Sequence, residues 1–180
     1  EIPLRLVGSE MCIRDSCNMF EKIGIRTEAD GDDLIVPKTQ KRKVKTDIPG
    51  GIPKIDDSPW PGFPADLTSI ITVTATQCEG AVLIFEKMFE SRLFWVDKLI
   101  SMGAQIILCD PHRVVVSGPS PLRGALVSSP DIRAGMALLI AALGAHGTTE
   151  IMNIQQIDRG YESIDQRLNA LGGKIKRVPV

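Results

Sequence analysis

Two kinds of residue in this chain have the type and spacing for chemistry: a carboxylate at the mouth of an apolar run, and arginines at corresponding places in a repeated pattern. Asp66 lies in "WPGFPADL", residues 60–67, where two prolines and a glycine stiffen the approach to an apolar segment. In the first turn of a helix the macrodipole favours an ionised carboxylate, which suits Asp66 to act as base or hydrogen-bond acceptor more than as acid. Asp131, in "SSPDIRAGM", takes the matching place in the next unit. A carboxylate that merely matches a helix dipole would explain either residue alone. The rigid Pro-Gly-Phe-Pro lead-in distinguishes Asp66 as a group held at the edge of a site.

Arg92, Arg133 and Arg159 fall at or just inside predicted helix starts, where a cation is disfavoured by up to about 1 kcal/mol. One such arginine reads as a solvated side chain. Three in comparable places, if the repeats surround a common axis, make a cluster of guanidiniums beside helix N-termini, suited to phosphate and carboxylate groups. Other signals are weaker. The basic run "KTQKRKVK", residues 38–45, has no interleaved aromatics and reads as a solvated linker or strand face, not a nucleic-acid patch. Cys109 and His112 give C-x-x-H, with no second pair to complete a zinc site. There is no P-loop, G-x-S-x-G or GxGxxG, so kinase, serine hydrolase and dinucleotide readings have no support.

The elements that must position these residues come from an internal repeat. "EGAVLIFEKMFESRLFWVDKLISMGAQI" and "HGTTEIMNIQQIDRGYESIDQRLNALGGKI" share a layout: Gly80 and Gly147 are 67 residues apart, and so are Arg92 and Arg159. Each copy reads as a buried helix, a Gly turn, a short strand, an Arg-led amphipathic helix, a Gly stop and a further strand. A partial copy comes first, with "CNMFEKIGI" as helix end, Gly24 as stop and "RTEADGDDLIVP" as a hairpin around Asp-Gly. In "SSPDIRAGMALLIAALGA", Ser129 is the expected N-cap, Pro130 the first helical residue and Asp131 part of the first turn, and Pro64 takes the same role as Pro130 in "FPADLTSIITVTATQC". Both helices are apolar nearly all round and should be buried. Outer helices are expected over Leu93–Met102 and Tyr161–Leu171. "QIILC" and "RVVVSG" around "DPH" predict another hairpin.

Composition sets the frame. With 43% hydrophobic residues in 180 the chain can bury a core, and a net charge of −1 provides no global field for nucleic acid or an anionic membrane, so any anion site is local. Cys12, Cys17, Cys78 and Cys109 lack CxxC spacing, as reduced thiols in a cytosol would. The longest apolar run, "MALLIAALGA", is too short to span a bilayer, and a cytoplasmic location is expected. Residues 1–16, "EIPLRLVGSEMCIRDS", show neither strand alternation nor helical period and no signal-peptide cleavage site, and are set aside as a non-native or disordered segment, with an irregular terminus as the alternative. The remainder, 17–180, divides into an incomplete first repeat at 17–40, a linker at 41–58, a second repeat at 59–120 and a third at 121–180.

Together "WPGFPADL", "FEKMFESRLFWVDKLISMGAQI", "SPDIRAGMALLIAAL" and "IDRGYESIDQRLNALGGKIKRV" resemble the C-terminal portion of the UDP-N-acetylglucosamine 1-carboxyvinyltransferases, a family of enolpyruvyl transferases. The resemblance implies an α/β (α+β) fold, an inverse α/β barrel of repeated βαβαββ units with buried inner helices. It implies transfer of the enolpyruvyl group of phosphoenolpyruvate to the 3-hydroxyl of UDP-N-acetylglucosamine at the opening of peptidoglycan synthesis. No cofactor, metal, nucleic acid or membrane is called for. By position, Asp66 matches the aspartate that contacts the sugar hydroxyl and is proposed as its base. Met88 matches a position whose backbone touches the sugar nucleotide, Arg92 the arginine of the same motif, and Arg133 and Arg159 arginines near the phosphoenolpyruvate side, with Arg159 counted among the catalytic residues. The family's N-terminal domain supplies a loop cysteine as proton donor, a Lys-Asn pair and further arginines. Cys17, Cys78 and Cys109 lie in the wrong context to replace that cysteine, so the missing domain is an expected partner and the chain alone is expected to be inactive. A shikimate-phosphate enolpyruvyl transferase and a non-catalytic sugar-nucleotide-binding domain are the alternatives.

Overall fold

The computed structural model describes residues 16–31, 33–46 and 48–178; the segment 1–15, with Cys12, lies outside the described residues. A helix, α1, covers 16–22. It is followed by the Asp-Gly hairpin of β1 (Glu28–Asp30) and β2 (Asp33–Ile35), with Ala29 opposite Leu34. The next unit runs β3 (Lys54–Asp56), a single 3-10 turn (Ala65–Leu67), α2 (Thr68–Ala75), β4 (Gly80–Phe85), α3 (Val96–Ser101), β5 (Gln105–Asp110) and β6 (Arg113–Gly118). Its strands form one sheet in the order β3-β4-β6-β5, in which β3 and β4 are parallel and the expected hairpin of β5 and β6 is antiparallel. That is one complete βαβαββ unit. The layout recurs as β7 (Leu126–Ser128), α4 (Ile132–Gly144) and β8 (Glu150–Met152), again a parallel strand pair around a helix, then a one-turn α5 (Gln155–Asp158) and α6 (Ile164–Ala170).

The repeat is visible in backbone detail. Isolated parallel bridges join Lys43 to Glu79 and, one repeat on, Arg123 to His146. Gly24, Gly103 and Gly172 follow α1, α3 and α6 with φ of +85°, +100° and +96°, so all three outer helices stop in the same left-handed conformation. At Gly24 a Cβ would lie 2.4 Å from the Lys43 backbone, which only glycine avoids.

The inner helices α2 and α4 pack on each other and contribute Ile71, Val73, Ala134, Ala137 and Leu138, all at most 2% exposed, to one core. Thr72 and Thr74 of α2 and Thr76 at its C-cap tolerate this apolar setting by donating their hydroxyls back to the carbonyls of Thr68, Ile70 and Val73. Outside them, α3 buries Val96 and Leu99, and α6 sets Ile164 against Leu139 and Ile157. No helix among the described residues is long and apolar enough to cross a membrane.

Three local expectations need correction. The outer helices start at Val96 and Ile164, three residues later than the apolar spacing predicts, because the chain first turns through Ser91 and Ser163 at positive φ. The N-cap of α4 is Asp131, not Ser129. Its carboxylate accepts from the N–H groups of Arg133 at 2.7 Å and Ala134 at 3.0 Å, while Ser129 is buried and donates to the Asp131 carbonyl. Pro64 likewise is extended (φ −64°, ψ 132°) and stands before the 3-10 turn, not inside the first helical turn.

Candidate functional site

Asp66 is aimed by the loop before it. Phe63 is 1% exposed and anchors that loop: Ser58 donates its N–H to the Phe63 carbonyl at 3.0 Å, and Gly62 donates to Pro59 at 2.9 Å. A Cβ on Gly62 would lie 1.7 Å from the Ser58 hydroxyl oxygen, so the loop closes only with glycine there. The 3-10 turn then presents Asp66 outward, where its carboxylate accepts a hydrogen bond from Nε of Arg133, the second residue of α4. The pair is open to solvent and contributes at most about 1 kcal/mol to stability. Its significance is positional, since it ties the second repeat to the third. The partners are 67 residues apart, so Arg133, and not Asp131, is the true counterpart of Asp66 at the repeat offset.

Two carboxylates that the sequence reading missed stand behind this pair. Asp57 and Glu86 directly follow the parallel strands β3 and β4 and are 1% and 2% exposed. Asp57 accepts from the N–H groups of Lys87 at 2.5 Å and Met88 at 3.2 Å, so the amide of Met88 is already engaged. Glu86 is less well served: its Oε1 is buried without a hydrogen-bond partner among the described residues, and the nearest cation, Nε of Arg92, is 3.9 Å away. Burial above all, then the neighbouring Asp57 charge, push the Glu86 carboxyl up to about 7, against the pull of Arg92. Asp131 adds to the rise and Arg133 opposes it, so Glu86 senses the start of α4. The Arg92 guanidinium lies 3.4 Å over the Phe89 ring, and its Nη1 is also buried without a partner.

The arginines are therefore placed differently from the expectation that all three sit at helix starts. Only Arg133 does, and Asp66 answers its charge. Arg92 lies in the turn before α3, and Arg159 caps the C-terminal end of α5, donating to the Gln156 side chain at 3.0 Å. Glycines bring α5 close to α4: a Cβ at Gly135 would meet Ile157 at 2.6 Å, and one at Gly160 would meet Ile132 at 2.1 Å. The turn carrying Arg159 thus rests on the end of α4 that carries Asp131 and Arg133.

The weaker sequence candidates lie elsewhere. His112 takes its N–H to Asp110 at 2.8 Å and points Nδ1 at the Glu86 carbonyl at 2.9 Å. Among the described residues no group of three or more His, Cys, Asp or Glu is arranged to hold a metal ion. Lys43 and Lys45 of the basic run pair with Glu79 and Glu21 at the surface. What remains is the Asp66 carboxylate paired with the Arg133 guanidinium beside the N-terminus of α4, residue types that can bind an anion and accept a proton from a hydroxyl.

Comparison with known proteins gives this arrangement a lineage. The chain is 62% identical over 178 residues to the UDP-N-acetylglucosamine 1-carboxyvinyltransferase of Bradyrhizobium diazoefficiens, a match covering 98% of the chain and 41% of the relative. It is 62% identical over 161 residues to the protein of that name in Borrelia garinii, covering 89% and 38%. The chain thus spans about two-fifths of the curated relatives it matches. Among solved structures it resembles the enolpyruvyl transferase NikO from Streptomyces tendae, with a TM-score of 0.77 at 22% identity over 96% of this chain and 37% of that one. EPSP synthase from Acinetobacter baumannii follows with a TM-score of 0.61 at 17% identity, over 89% and 36%. These likenesses establish the fold. The family model described as EPSP synthase (3-phosphoshikimate 1-carboxyvinyltransferase) matches residues 18–168, and with most of its length inside that match the chain belongs to this family of carboxyvinyl transferases.

Proposed function

We propose that the chain provides one wall of an enolpyruvyl transfer site, at which the 3-hydroxyl of UDP-N-acetylglucosamine adds to phosphoenolpyruvate at the first committed step of peptidoglycan synthesis. The observation that carries this reading is the Asp66–Arg133 pair, which sets an exposed carboxylate against a guanidinium at the N-terminus of an inner helix. In the reaction the acceptor oxygen bonds to the enol carbon, the methylene gains a proton, and phosphate then leaves. Asp66 takes the hydroxyl proton, once a ligand draws Arg133 toward phosphate or carboxylate. Arg92 and the Met88 carbonyl face the sugar nucleotide, and Arg133 and Arg159 hold the donor's charges. The repeats at 17–40, 59–120 and 121–180, joined by the linker at 41–58, form a partial domain that works in the cytoplasm against the other domain of the enzyme. Names and identities of the curated relatives support the sugar nucleotide over shikimate 3-phosphate as acceptor.

The test is phosphate release from phosphoenolpyruvate by a chimera that carries residues 17–180 in place of the matching part of the Bradyrhizobium relative. Release with UDP-N-acetylglucosamine alone, reduced about a hundredfold or more in the Asp66→Ala variant, is the expected result. Release with shikimate 3-phosphate would move the chain to that acceptor. Binding of the sugar nucleotide without release from either acceptor would favour a non-catalytic domain, and the 180-residue chain alone should release none.

A further inference from the structure

The geometry points to Glu86 as a positioning residue for this reaction: its buried carboxylate, at the end of β4, holds the Arg92 guanidinium against the Phe89 ring so that the arginine meets the sugar nucleotide in one orientation. The inference rests on the enolpyruvyl transfer reading above.

Three observations carry it. Glu86 is 2% exposed yet keeps Oε1 without a hydrogen-bond partner among the described residues, and on Arg92, whose Nε stands 3.9 Å from that oxygen, Nη1 is likewise buried without one. Among the described residues Arg92 has no second ion pair or hydrogen bond: Phe89 covers one face of the guanidinium at 3.4 Å, while Nε stands 3.9 Å from Glu86, near enough to be steered and one small adjustment from a hydrogen bond. The rest of the surroundings gives Glu86 no other role. The backbone amides of Lys87 and Met88 are taken by Asp57, and His112 meets the Glu86 carbonyl, not its carboxylate. A buried charge is retained at a cost of several kcal/mol unless it is paired, and Arg92 is the cation placed to pair with this one.

The groups that face Glu86 are Asp57 at the end of β3, Arg92 in its own loop, Asp131 and Arg133 at the start of α4, and the His112 ring on the β5–β6 turn. The contribution of the His112 ring is separated by its own variant. In the chimera described above, Glu86→Gln should raise KM for UDP-N-acetylglucosamine about tenfold while kcat changes less than about threefold, the signature of a binding group lost from its place. The parent's kcat/KM should fall on the acid side with a midpoint near 7, as Glu86 takes up its proton. That limb should vanish in Glu86→Gln and persist in His112→Asn. In an Arg92→Ala background Glu86→Gln should have less than about a twofold further effect. A limb unchanged in Glu86→Gln, or full additivity with Arg92→Ala, overturns the proposal. Should the chimera fail to turn over the sugar nucleotide, the transfer reading fails by itself. The Glu86 side-chain carbonyl, followed by carbon-13 NMR in the 180-residue chain, still decides the pairing: Arg92→Ala must move its titration midpoint upward, and an unmoved midpoint refutes it.

Discussion

Replacing Glu86 by glutamine should change how the stability of this chain depends on pH, and the direction is opposite to that of most carboxylates. An ordinary glutamate titrates at 4.5, whereas Glu86 in the folded chain is held up to about 7, chiefly by burial and then by Asp57. Between those values the folded state keeps a proton that the unfolded state has released. Stability rises with pH only where the unfolded state binds more protons, so here it must fall. The contribution is complete below pH 4.5, declines through the interval and is exhausted above about 7. The gap corresponds to a loss on the order of 3 kcal/mol, a large share of the 5–15 kcal/mol typical of a domain. Glutamine keeps the shape and never ionises, so this decline should be absent from the variant.

Urea unfolding of both chains at intervals from pH 5 to 8 measures it. The two stability curves should diverge by about 2.5 kcal/mol across that range with unchanged m-values, whatever their offset at pH 5. The comparison is clean because the strongly held acids, Asp56, Asp110, Asp158 and Asp165, are lowered by their cationic partners and titrate below this window in the folded state. Parallel curves would refute the reasoning, since they would mean that Glu86 ionises as easily in the fold as in the open chain.

Two further outcomes follow from packing and burial. Gly135→Ala should cost about 2 kcal/mol or more in urea unfolding, because its Cβ would meet the Ser129 hydroxyl oxygen at 2.2 Å and Ile157 at 2.6 Å, where α5 closes on α4; a loss within about 0.5 kcal/mol would show that the contact yields freely. Cys78 is buried and its thiol pushed up to about 11, so at pH 8 only about one molecule in a thousand carries the thiolate. Iodoacetamide should therefore modify the exposed Cys109 first and Cys78 only as the chain unfolds, and equal rates in the folded chain would contradict the burial.

What was legible in the sequence divides by the range of the interaction. The β5–β6 hairpin and the Asp-Gly hairpin were readable because alternation and turn residues act within a dozen positions. The inner helices were readable because they are buried on nearly every side. Helix starts were not: Leu93 and Trp95 are buried from a turn, and their apolar character imitates a helical stripe. Nor could local pattern reveal that Asp66 meets Arg133, since that contact crosses 67 residues and exists only because two repeats stack their inner helices. Of the three arginines expected at helix starts, only Arg133 is found at one.

Glu86 is the instructive omission, because its signal was present and local. Along β4 burial alternates: Val82 and Ile84 point inward, and the next residue on that side is Glu86. In β3 the inward residue Ile55 is followed two positions on by Asp57. A strand whose apolar side ends in a carboxylate sets a charge where the core begins, and a chain keeps such a charge only when something there needs it. Two adjacent parallel strands ending this way, both at the carboxyl edge where open α/β sheets bind ligands, would have directed attention to Arg92 by way of its partner instead of a dipole conflict that the structure does not contain. Periodicity is ordinarily used to find which residues are apolar and inside. In this chain its greater yield lies in the polar residues that obey the same period.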